Sequence, residues 1–246
     1  MMADTPTEHA LGHLIVHCGH HRCGTVWFHR IFKTIAERLS LTYHRGQQTG
    51  LPTNADLFFQ DHSRIDREAL PSFRGSHMCR DPRDLTVSAY HYHLWSDEPW
   101  LHQPRDKLHG RTYQEQLRSL DIEDGLIFEM ERSSHHNISM MLDWDGSDPR
   151  FLDLRYEDLI ADEEAVFGRL FTHYGFSGDD HQTALEAALD QSFKNIAKRS
   201  IGEVKEGSHL RSGAAGQWRD IFTPRHIDHF KKLFGDGLKR LGYAWD

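Results

Sequence analysis

Residues 19 to 28 read GHHRCGTVWF and join a short apolar run to a helical pattern. The run before them predicts a strand over residues 11–18, and the apolar spacing after them predicts a helix over residues 25–39. A loop between a strand and a helix N-terminus can hold a phosphate or sulfate, because backbone N–H groups and the positive end of the helix dipole point at the anion. Gly24 lets the backbone approach an anion, and Thr25 adds a hydroxyl group. This stretch therefore predicts an anion-binding loop.

The cation of this loop differs in position from that of a nucleoside triphosphatase. A Walker A loop has a Lys directly after its last Gly, where it reaches the outer phosphates, and the next Ser or Thr binds Mg²⁺. In this chain Arg22 comes before Gly24, and no Lys follows the Gly. A kinase-like phosphoryl transferase on the same architecture remains an alternative, and it would depend on ATP and Mg²⁺.

A second block, RDPRDLTVS at residues 80–88, also suits a phosphate. Pro82 fits the first turn of a helix, and Ser88 lies two turns further on. The guanidinium group of Arg80 can hold phosphate oxygens through two parallel hydrogen bonds. The block predicts a phosphate contact where loop and helix meet, with a solvated charged turn as the alternative.

Further blocks occur later in the chain: FLDLRYEDL at 151–159, a Ser-Phe pair at 192–193 and RSGAAGQWRDIFT at 211–223. Together with the first two, in this order, they resemble the sulfotransferases that use 3′-phosphoadenosine 5′-phosphosulfate (PAPS). The family's loop reads PKSGTTW, and its later segments read RxPxDxxVS, YEDL and RKGxxGDWKxxFT. The resemblance covers nearly the whole chain. It implies a three-layer α/β/α fold with a central parallel sheet, in the P-loop nucleoside-triphosphatase-like sulfotransferase architecture.

The resemblance also assigns residues to PAPS. In the family the loop holds the 5′-phosphate, two Arg-containing blocks hold the 3′-phosphate, and aromatic rings flank the adenine. The matching positions are Arg22, Cys23, Gly24, Thr25, Val26 and Trp27 in the loop, Arg80, Ser88, Arg211, Ser212 and Gly213 at the 3′-phosphate, and Tyr156 and Phe193 at the adenine. Trp27 would stack on the adenine. The loop departs from the family at His21 for Pro, Arg22 for Lys, Cys23 for Ser and Val26 for Thr.

Two residues are predicted to take part in the chemistry. The family has a KTH segment ahead of an LPxxF stretch, and its His acts as the general base. The corresponding residues here are Gln60, Asp61 and His62, ahead of LPSF at 70–73, so His62 is the candidate base. A surface histidine at a strand end is the alternative. Arg22 is the candidate for charge stabilisation, because a guanidinium group stays protonated and cannot serve as a general acid.

The resemblance implies transfer of a sulfuryl group from PAPS to a hydroxyl group, or as a second choice an amine, of a small-molecule acceptor. The product would be 3′-phosphoadenosine 5′-phosphate (PAP), and no metal is expected. A catalytically silent PAPS- or PAP-binding protein is a further alternative, which only turnover distinguishes. The identity of the acceptor stays open.

The composition indicates one enzyme-sized domain over residues 1–246. The net charge of −8 argues against general affinity for nucleic acid or an anionic membrane, so a polyanionic ligand requires a local cluster of Arg side chains. No apolar run has the length of a signal-peptide core or a membrane helix, and the three cysteines lack disulfide spacing. A cytoplasmic location is therefore expected. The oligomeric state stays open, because Pro224 replaces the Val of the family's KxxxTVxxxE dimer motif.

Histidine is abundant, with 20 copies, and a metal site is the rival interpretation for the loop. The potential ligands are His17, Cys18, His20, His21 and Cys23. A structural zinc site usually has two separated ligand pairs, whereas these five crowd a segment that must also present N–H groups to an anion. Hydrogen-bonded or solvated histidines are therefore the preferred interpretation.

Strands and helices alternate along the rest of the chain, which predicts βαβ units and a parallel sheet covered by helices. Strands are predicted over 56–60, 75–79 and 151–154, and helices over 83–94, 125–142, 162–174 and 179–189 and after Pro224. Two irregular segments, 96–110 and 194–216, are predicted to be mobile and to close over cofactor or acceptor, because long loops in compact domains are usually functional or disordered.

Overall fold

A five-stranded parallel sheet forms the centre of the computed structural model, which describes residues 11–198, 200–208 and 211–245. The strands are β1 (Leu14–Cys18), β2 (Tyr43–Arg45), β3 (Leu57–Gln60), β4 (Phe73–Cys79) and β5 (Phe151–Arg155). Their order is β2-β3-β1-β4-β5, and each neighbouring pair is parallel. The edge strand β2 was not predicted, because its three partly exposed residues carry no apolar pattern.

Helices alternate with these strands along the chain, and the prediction of an α/β fold with a central parallel sheet is confirmed. They are α1 (Thr25–Leu39), α2 (Pro82–His93), α3 (Tyr113–Arg118), α4 (Ile122–Met130), α5 (Ser133–Leu142), α6 (Tyr156–Ala161), α7 (Glu163–Tyr174), α8 (Gly178–Asp190), α9 (Phe193–Ala197), α10 (Trp218–Ile221), α11 (Pro224–Phe234) and α12 (Gly237–Arg240). The bounds of α1 are those predicted from its apolar spacing.

The prediction of one helix over 125–142 is wrong, since α4 and α5 divide this segment. Arg132 lies between them with φ −128° and ψ −96°, outside the helical region. Beside the break, the buried Glu129 carboxylate accepts hydrogen bonds from Ser134 Oγ (3.1 Å) and from the Tyr113 hydroxyl (2.8 Å). Residues 131–137 (ERSSHHN) contain no apolar side chain, so the apolar spacing gives no support for a continuous helix across the break.

The described chain separates into two compact units. The first contains residues 11–79 and 144–198, and with them the whole sheet. The second contains residues 80–143 and the described residues from 200 to 245. Helices α1 and α6 to α9 belong to the first unit, and α2 to α5 and α10 to α12 belong to the second. The expectation of one domain over residues 1–246 stays a prediction.

Strand β1 is fully buried in the first unit, and its successive side chains point to opposite faces of the sheet. Cys18 packs in an apolar cluster that includes Phe151. His17 points the other way, where its ring stacks on Phe28 of α1 with 4.4 Å between centroids. Gly75 of β4 lies so close to Phe151 that a Cβ atom there would clash with the ring, so a larger residue does not fit. Strands β4 and β5 are therefore tightly packed at this position.

The buried His17 makes stability depend on pH. Burial, and to a smaller extent the nearby His77, lowers the pKa of His17 from 6.5 to about 3. Between these values the unfolded chain binds a proton that the native chain does not. We therefore expect the free energy of unfolding to fall as the pH decreases from about 6.5 towards 3, by about 1.4 kcal/mol per pH unit for this one group.

Urea unfolding of the wild type and of His17→Gln over this pH range measures the contribution of His17. The variant keeps a side chain that can hydrogen-bond to Ser76 Oγ, which lies 2.7 Å from His17 Nδ1, but it cannot titrate. Its stability should therefore decline less steeply in acid than that of the wild type. Parallel pH curves for the two proteins would contradict the prediction.

The segment 96–110 of the second unit, predicted to be irregular, contains two short 3₁₀ helices, Pro99–His102 and Asp106–Leu108. Leu101 within the first of them is buried, which attaches the segment to its unit. The mobility predicted for this segment and for residues 194–216 stays a prediction. Residues 199, 209 and 210 of the later segment lie outside the described part of the chain.

Candidate active site

The anion-binding loop leaves β1 and enters α1 at Thr25, in the first unit. Arg22 and Gly24 both have left-handed backbone conformations, with φ of 65° and 81°. Gly24 is the N-cap of α1, and the first turn of this helix has no acidic residue, so no carboxylate neutralises its positive end from within that turn. Thr25 Oγ1 donates to the carbonyl oxygen of His20 at 2.9 Å and closes the loop. Backbone conformation and charge therefore suit an anion, while the Thr25 hydrogen is engaged within the loop itself.

The three aromatic residues predicted to meet the adenine also lie in the first unit. Trp27, Tyr156 and Phe193 are all buried, and Phe193 is the first residue of α9. Trp27 and Tyr156 meet edge to face, with ring centroids 6.3 Å apart. The Tyr156 ring lies against Gly24, where a Cβ atom would be 3.5 Å from it. The fold thus brings Trp27 and Tyr156 to the loop. The two other predicted loop residues are Cys23, which is buried, and Val26, which is half-buried.

His62 lies after β3 in the same unit, in a segment that we call the base loop (residues 61–64), and its side chain is exposed. Gln60 Oε1 accepts a hydrogen bond from the backbone N–H of His62 at 2.6 Å. Ser63 has a left-handed backbone, with φ 55°, and its Oγ donates to the carbonyl oxygen of Gly19 at 2.9 Å. A hydrogen bond therefore joins the base loop to the anion-binding loop.

A chain of hydrogen bonds next to the anion-binding loop was missed by the sequence analysis. His20 Nε2 lies 2.8 Å from His77 Nε2, and His77 Nδ1 lies 2.9 Å from Asp153 Oδ1. Both histidines are buried, and burial lowers the pKa of each below the usual histidine value. The sheet register explains the contacts, since His77 pairs with Asp153 across β4 and β5 and with Cys18 across β1 and β4. The signal available in the sequence was the position of all three residues near the ends of predicted parallel strands.

The second unit contains the residues predicted to meet the 3′-phosphate. Arg80 is 5% exposed, and its Nη2 donates to the carbonyl oxygen of Ala214 at 3.2 Å, across 134 residues of sequence. The Asp84 carboxylate accepts hydrogen bonds from the backbone N–H groups of Gly216 (2.5 Å) and Trp218 (3.0 Å). Burial raises the pKa of Asp84, and Arg80 and these two N–H groups act against that rise. These contacts bring two of the predicted phosphate-binding blocks together.

The remaining 3′-phosphate candidates lie on the same two segments. They are Ser88, half-buried on α2, Ser212, which is buried, and Gly213, with φ 69°. Arg211 is present as well, and its Nη1 lies 3.3 Å from Glu206 Oε1. The Glu206 side chain is 62% exposed, so this ion pair is screened by water and contributes little. Arg211 Nη2 also donates a hydrogen bond to Gln217 Oε1 at 2.5 Å, which holds the guanidinium group in place.

The described residues contain no group of three or more His, Cys, Asp or Glu side chains arranged to hold a metal ion. Two of the rival ligands, His17 and Cys18, point to opposite faces of the sheet and cannot converge on one ion. No helix within the described ranges is long and apolar enough to span a membrane.

Comparison with known sequences gives one family. The family model of the sulfotransferase domain matches residues 74–242. Mouse sulfotransferase 2A1 is 25% identical over 170 residues, which cover 66% of this chain and 55% of the relative. Cytosolic sulfotransferase 10 of Arabidopsis thaliana is 31% identical over 114 residues, which cover 39% of this chain and 34% of the relative. The match thus spans about half the length of the mouse relative.

Comparison with solved structures agrees on the fold. Retinol dehydratase in a complex with retinol and PAP is similar with a TM-score of 0.59 and 17% identity, over 100% of this chain and 85% of that one. Mouse sulfotransferase SULT7A1 in a complex with PAP is similar with a TM-score of 0.56 and 18% identity, over 92% of this chain and 84% of that one. These identities support the fold alone. The family model, however, matches well over half of the sequence, and the motifs that carry the resemblance lie in the same order, so this chain belongs to the sulfotransferase domain family.

Proposed function

We propose that this protein transfers a sulfuryl group from PAPS to a hydroxyl group of a small-molecule acceptor and releases PAP. Membership of the sulfotransferase family supports this activity. Retinol dehydratase and mouse SULT7A1, which share the fold, were both solved with PAP. Two features of the chain itself, one in each unit, fit the two phosphate groups of this nucleotide.

In the first unit, the anion-binding loop fits the 5′-phosphate. The backbone N–H groups of Arg22, Gly24, Thr25 and Val26 and the N-terminus of α1 would bind its oxygens, whereas the N–H group of Cys23 donates to the carbonyl oxygen of His20 at 3.0 Å. Arg22 would stabilise the negative charge that collects on the leaving phosphate oxygen, which is an electrostatic role because the guanidinium group keeps its proton. Trp27 and Tyr156, whose rings meet beside the loop, would flank the adenine.

In the second unit, Arg80, Ser88 and Arg211 would bind the 3′-phosphate, together with the backbone of Ser212 and Gly213. Arg side chains suit this task because a planar guanidinium group can bind two phosphate oxygens at once and stays charged when partly buried. The contact of Arg80 with the carbonyl oxygen of residue 214 carries the proposal. It joins two blocks, each of which resembles a 3′-phosphate-binding segment of the family.

His62 would act as the general base. It would take the proton of the acceptor hydroxyl as the oxygen forms a bond to sulfur, while the bond between sulfur and the 5′-phosphate oxygen breaks and that oxygen keeps the electron pair. PAPS would supply the activated sulfuryl group. Such transfers resemble phosphoryl transfer, in which positioning and charge stabilisation provide most of the catalysis.

Binding of PAP tests the proposal. A ligand at 100 times its dissociation constant stabilises the native protein by about 2.7 kcal/mol, so PAP should raise the melting temperature. Arg80→Ala and Arg211→Ala should each remove most of this shift, because each removes a cation from the 3′-phosphate. Since Arg80 is buried, Arg80→Lys serves as a second variant that keeps the charge and loses the planar group.

A matched control is Arg240→Ala, which also loses a hydrogen bond to a carbonyl oxygen, that of Leu142 at 2.7 Å. It should keep the full PAP shift. Stabilisation by ATP with Mg²⁺ and not by PAP would contradict the proposal and favour the kinase-like alternative. Transfer of labelled sulfate from PAPS to a panel of alcohols, phenols and amines then separates an enzyme from a silent PAP-binding protein.

A cytoplasmic location is part of the proposal. The three cysteines are buried and not linked by disulfides, which suits a reducing compartment, and one relative is named a cytosolic sulfotransferase. A small molecule is proposed as the acceptor, with neither nucleic acid nor a membrane surface as a partner, given the net charge of −8.

A further inference from the structure

His20, His77 and Asp153 form a continuous chain of hydrogen bonds in the first unit, and Ser63 of the base loop joins it. Ser63 Oγ lies 3.3 Å from His20 Nε2 and 2.9 Å from the carbonyl oxygen of Gly19. The serine hydroxyl therefore contacts two successive residues of the anion-binding loop. None of these four side chains was assigned a role by the motifs.

The hydrogen-bond acceptors among these four residues determine where the protons of the hydrogen-bond chain lie. The carbonyl oxygen of Gly19 can only accept, so the Ser63 hydroxyl donates its single hydrogen there, and its oxygen accepts from His20 Nε2. His20 Nε2 therefore carries a hydrogen, which it also donates to a bare Nε2 of His77. His77 Nδ1 then carries the hydrogen that it donates to the Asp153 carboxylate. With both rings neutral, this arrangement satisfies every contact.

The arrangement allows only one proton between the two rings. A second proton on the 2.8 Å contact of His20 with His77 would turn two N–H groups towards each other and break it. Burial lowers the pKa of both histidines, which keeps them neutral near neutral pH. Their titratable and charged neighbours are His17 and His62 for His20, and Asp153 and Arg67 for His77. The hydrogen-bond chain is therefore intact at neutral pH and opens in acid once both rings are protonated.

The middle member of the chain has a fixed orientation. The His77 ring stacks on Trp144, with 4.1 Å between centroids and 13° between planes. Arg67 Cζ lies 4.2 Å from the centroid of the same indole. Stacking and the two hydrogen bonds together hold the His77 ring, so it can orient His20 in turn.

We propose that Ser63, His77 and Asp153 are positioning residues that act through His20 and hold the anion-binding loop in a fixed place relative to the base loop. Asp153 fixes the proton of His77, His77 fixes that of His20, and Ser63 connects the two loops. The catalytic consequence rests on the proposed function, in which these loops carry Arg22 and the general base. A misplacement of about 1 Å between reacting groups can cost about 10²-fold in rate.

Nitrogen-15 NMR of the histidine rings tests the hydrogen-bond chain without any activity measurement. In the full-length wild type at neutral pH we expect His20 as the Nε2–H tautomer and His77 as the Nδ1–H tautomer. Both signals should change together when the sample is acidified. The opposite tautomers, or independent titration of the two rings, would overturn the proposal.

Kinetics test the positioning role. His77→Phe keeps a ring that can stack on Trp144 and removes both nitrogens, so kcat should fall about 10²-fold while the dissociation constant of PAP stays within about threefold of wild type. In the wild type, part of the decline in rate at low pH should come from opening of the hydrogen-bond chain. This part should be absent in His77→Phe. Asp153→Ala, at a side chain that is 48% exposed, should lower kcat less and carries little risk of unfolding.

Asp153→Asn should restore most of kcat, because its amide oxygen can still accept from His77. His181→Ala, which removes a histidine bonded to Gly168 in the same unit, is the matched control and should leave kcat unchanged. A kcat within about threefold of wild type for both His77→Phe and Asp153→Ala would overturn the positioning role. If the wild type transfers no sulfuryl group at all, the proposed function fails, and the tautomers still decide whether the chain exists.

Discussion

Replacing His62 by alanine is expected to lower kcat by about 10²–10⁴-fold, the contribution of a positioned general base. The His62 side chain is exposed, and Gln60 fixes the backbone of its loop, so the variant should fold. The affinity for PAP should stay near that of the wild type, because a base acts on the acceptor in the chemical step and not on the bound nucleotide. Turnover of a neutral alcohol and calorimetric titration with PAP measure the two effects separately.

The pH dependence gives a second measure of the same role. The wild-type rate should fall as the pH drops through the range in which histidine titrates, since an imidazolium group cannot accept the acceptor proton. With an acceptor whose oxygen is already ionised, the effect of His62→Ala should shrink. His44→Ala, at a histidine of β2 in the same unit, is the control and should keep the wild-type rate. Normal turnover of a neutral alcohol by His62→Ala would rule out the assignment, and His20, His21 or an acidic residue would become the next base to test.

Arg22→Ala should lower kcat by about 10²–10³-fold, by analogy with the loss of one donor to a developing oxyanion. Arg22→Lys restores the residue found in the family and keeps a cation, so most of the activity should survive. The backbone at this position is left-handed, with φ 65°. Arginine, lysine and alanine all carry a Cβ atom, so the three proteins share the same backbone strain and differ mainly in the cation.

Steady-state kinetics with PAPS and a common acceptor compare the three Arg22 proteins. Arg30→Ala removes an exposed arginine from the same helix, α1, and should leave kcat unchanged. Addition of EDTA should also have little effect, because the proposed chemistry uses side chains and backbone groups of the chain. Equal rates for Arg22→Ala and the wild type would exclude Arg22 from the mechanism.

Local patterns predicted much of the fold. The apolar spacing after the anion-binding loop predicted α1 over 25–39, and the helix has these bounds, because six of its apolar side chains face the interior at helical spacing. The same rule failed over 125–142, where a buried carboxylate accepts hydrogen bonds beside the break in the helix. Spacing describes which face of a segment is apolar, and it contains no information on the hydrogen bonds of buried polar side chains.

The candidate site likewise contains one part that was visible in the sequence and another that was not. The anion-binding loop is contiguous in sequence, so its glycine, its arginine and the helix that follows were visible together. The hydrogen-bond chain from His20 through His77 to Asp153 was not visible, since its members come from three segments and no motif assigns them a role. Asp84 lies within the RDPRDLTVS block, but its role was not visible because the backbone N–H groups that it binds are 132 and 134 residues away in the sequence.

The amino-acid sequence by itself determined the α/β class, the anion-binding loop and the family, because each depends on the order of residues within short segments. Only the tertiary structure decided which of these segments meet. Parallel pairing places the ends of β1, β4 and β5 side by side, and so unites residues that lie far apart in the chain. In the second unit, a hydrogen bond across 134 residues joins Arg80 to the C-terminal block, because buried polar groups take whichever partners the packing brings within reach.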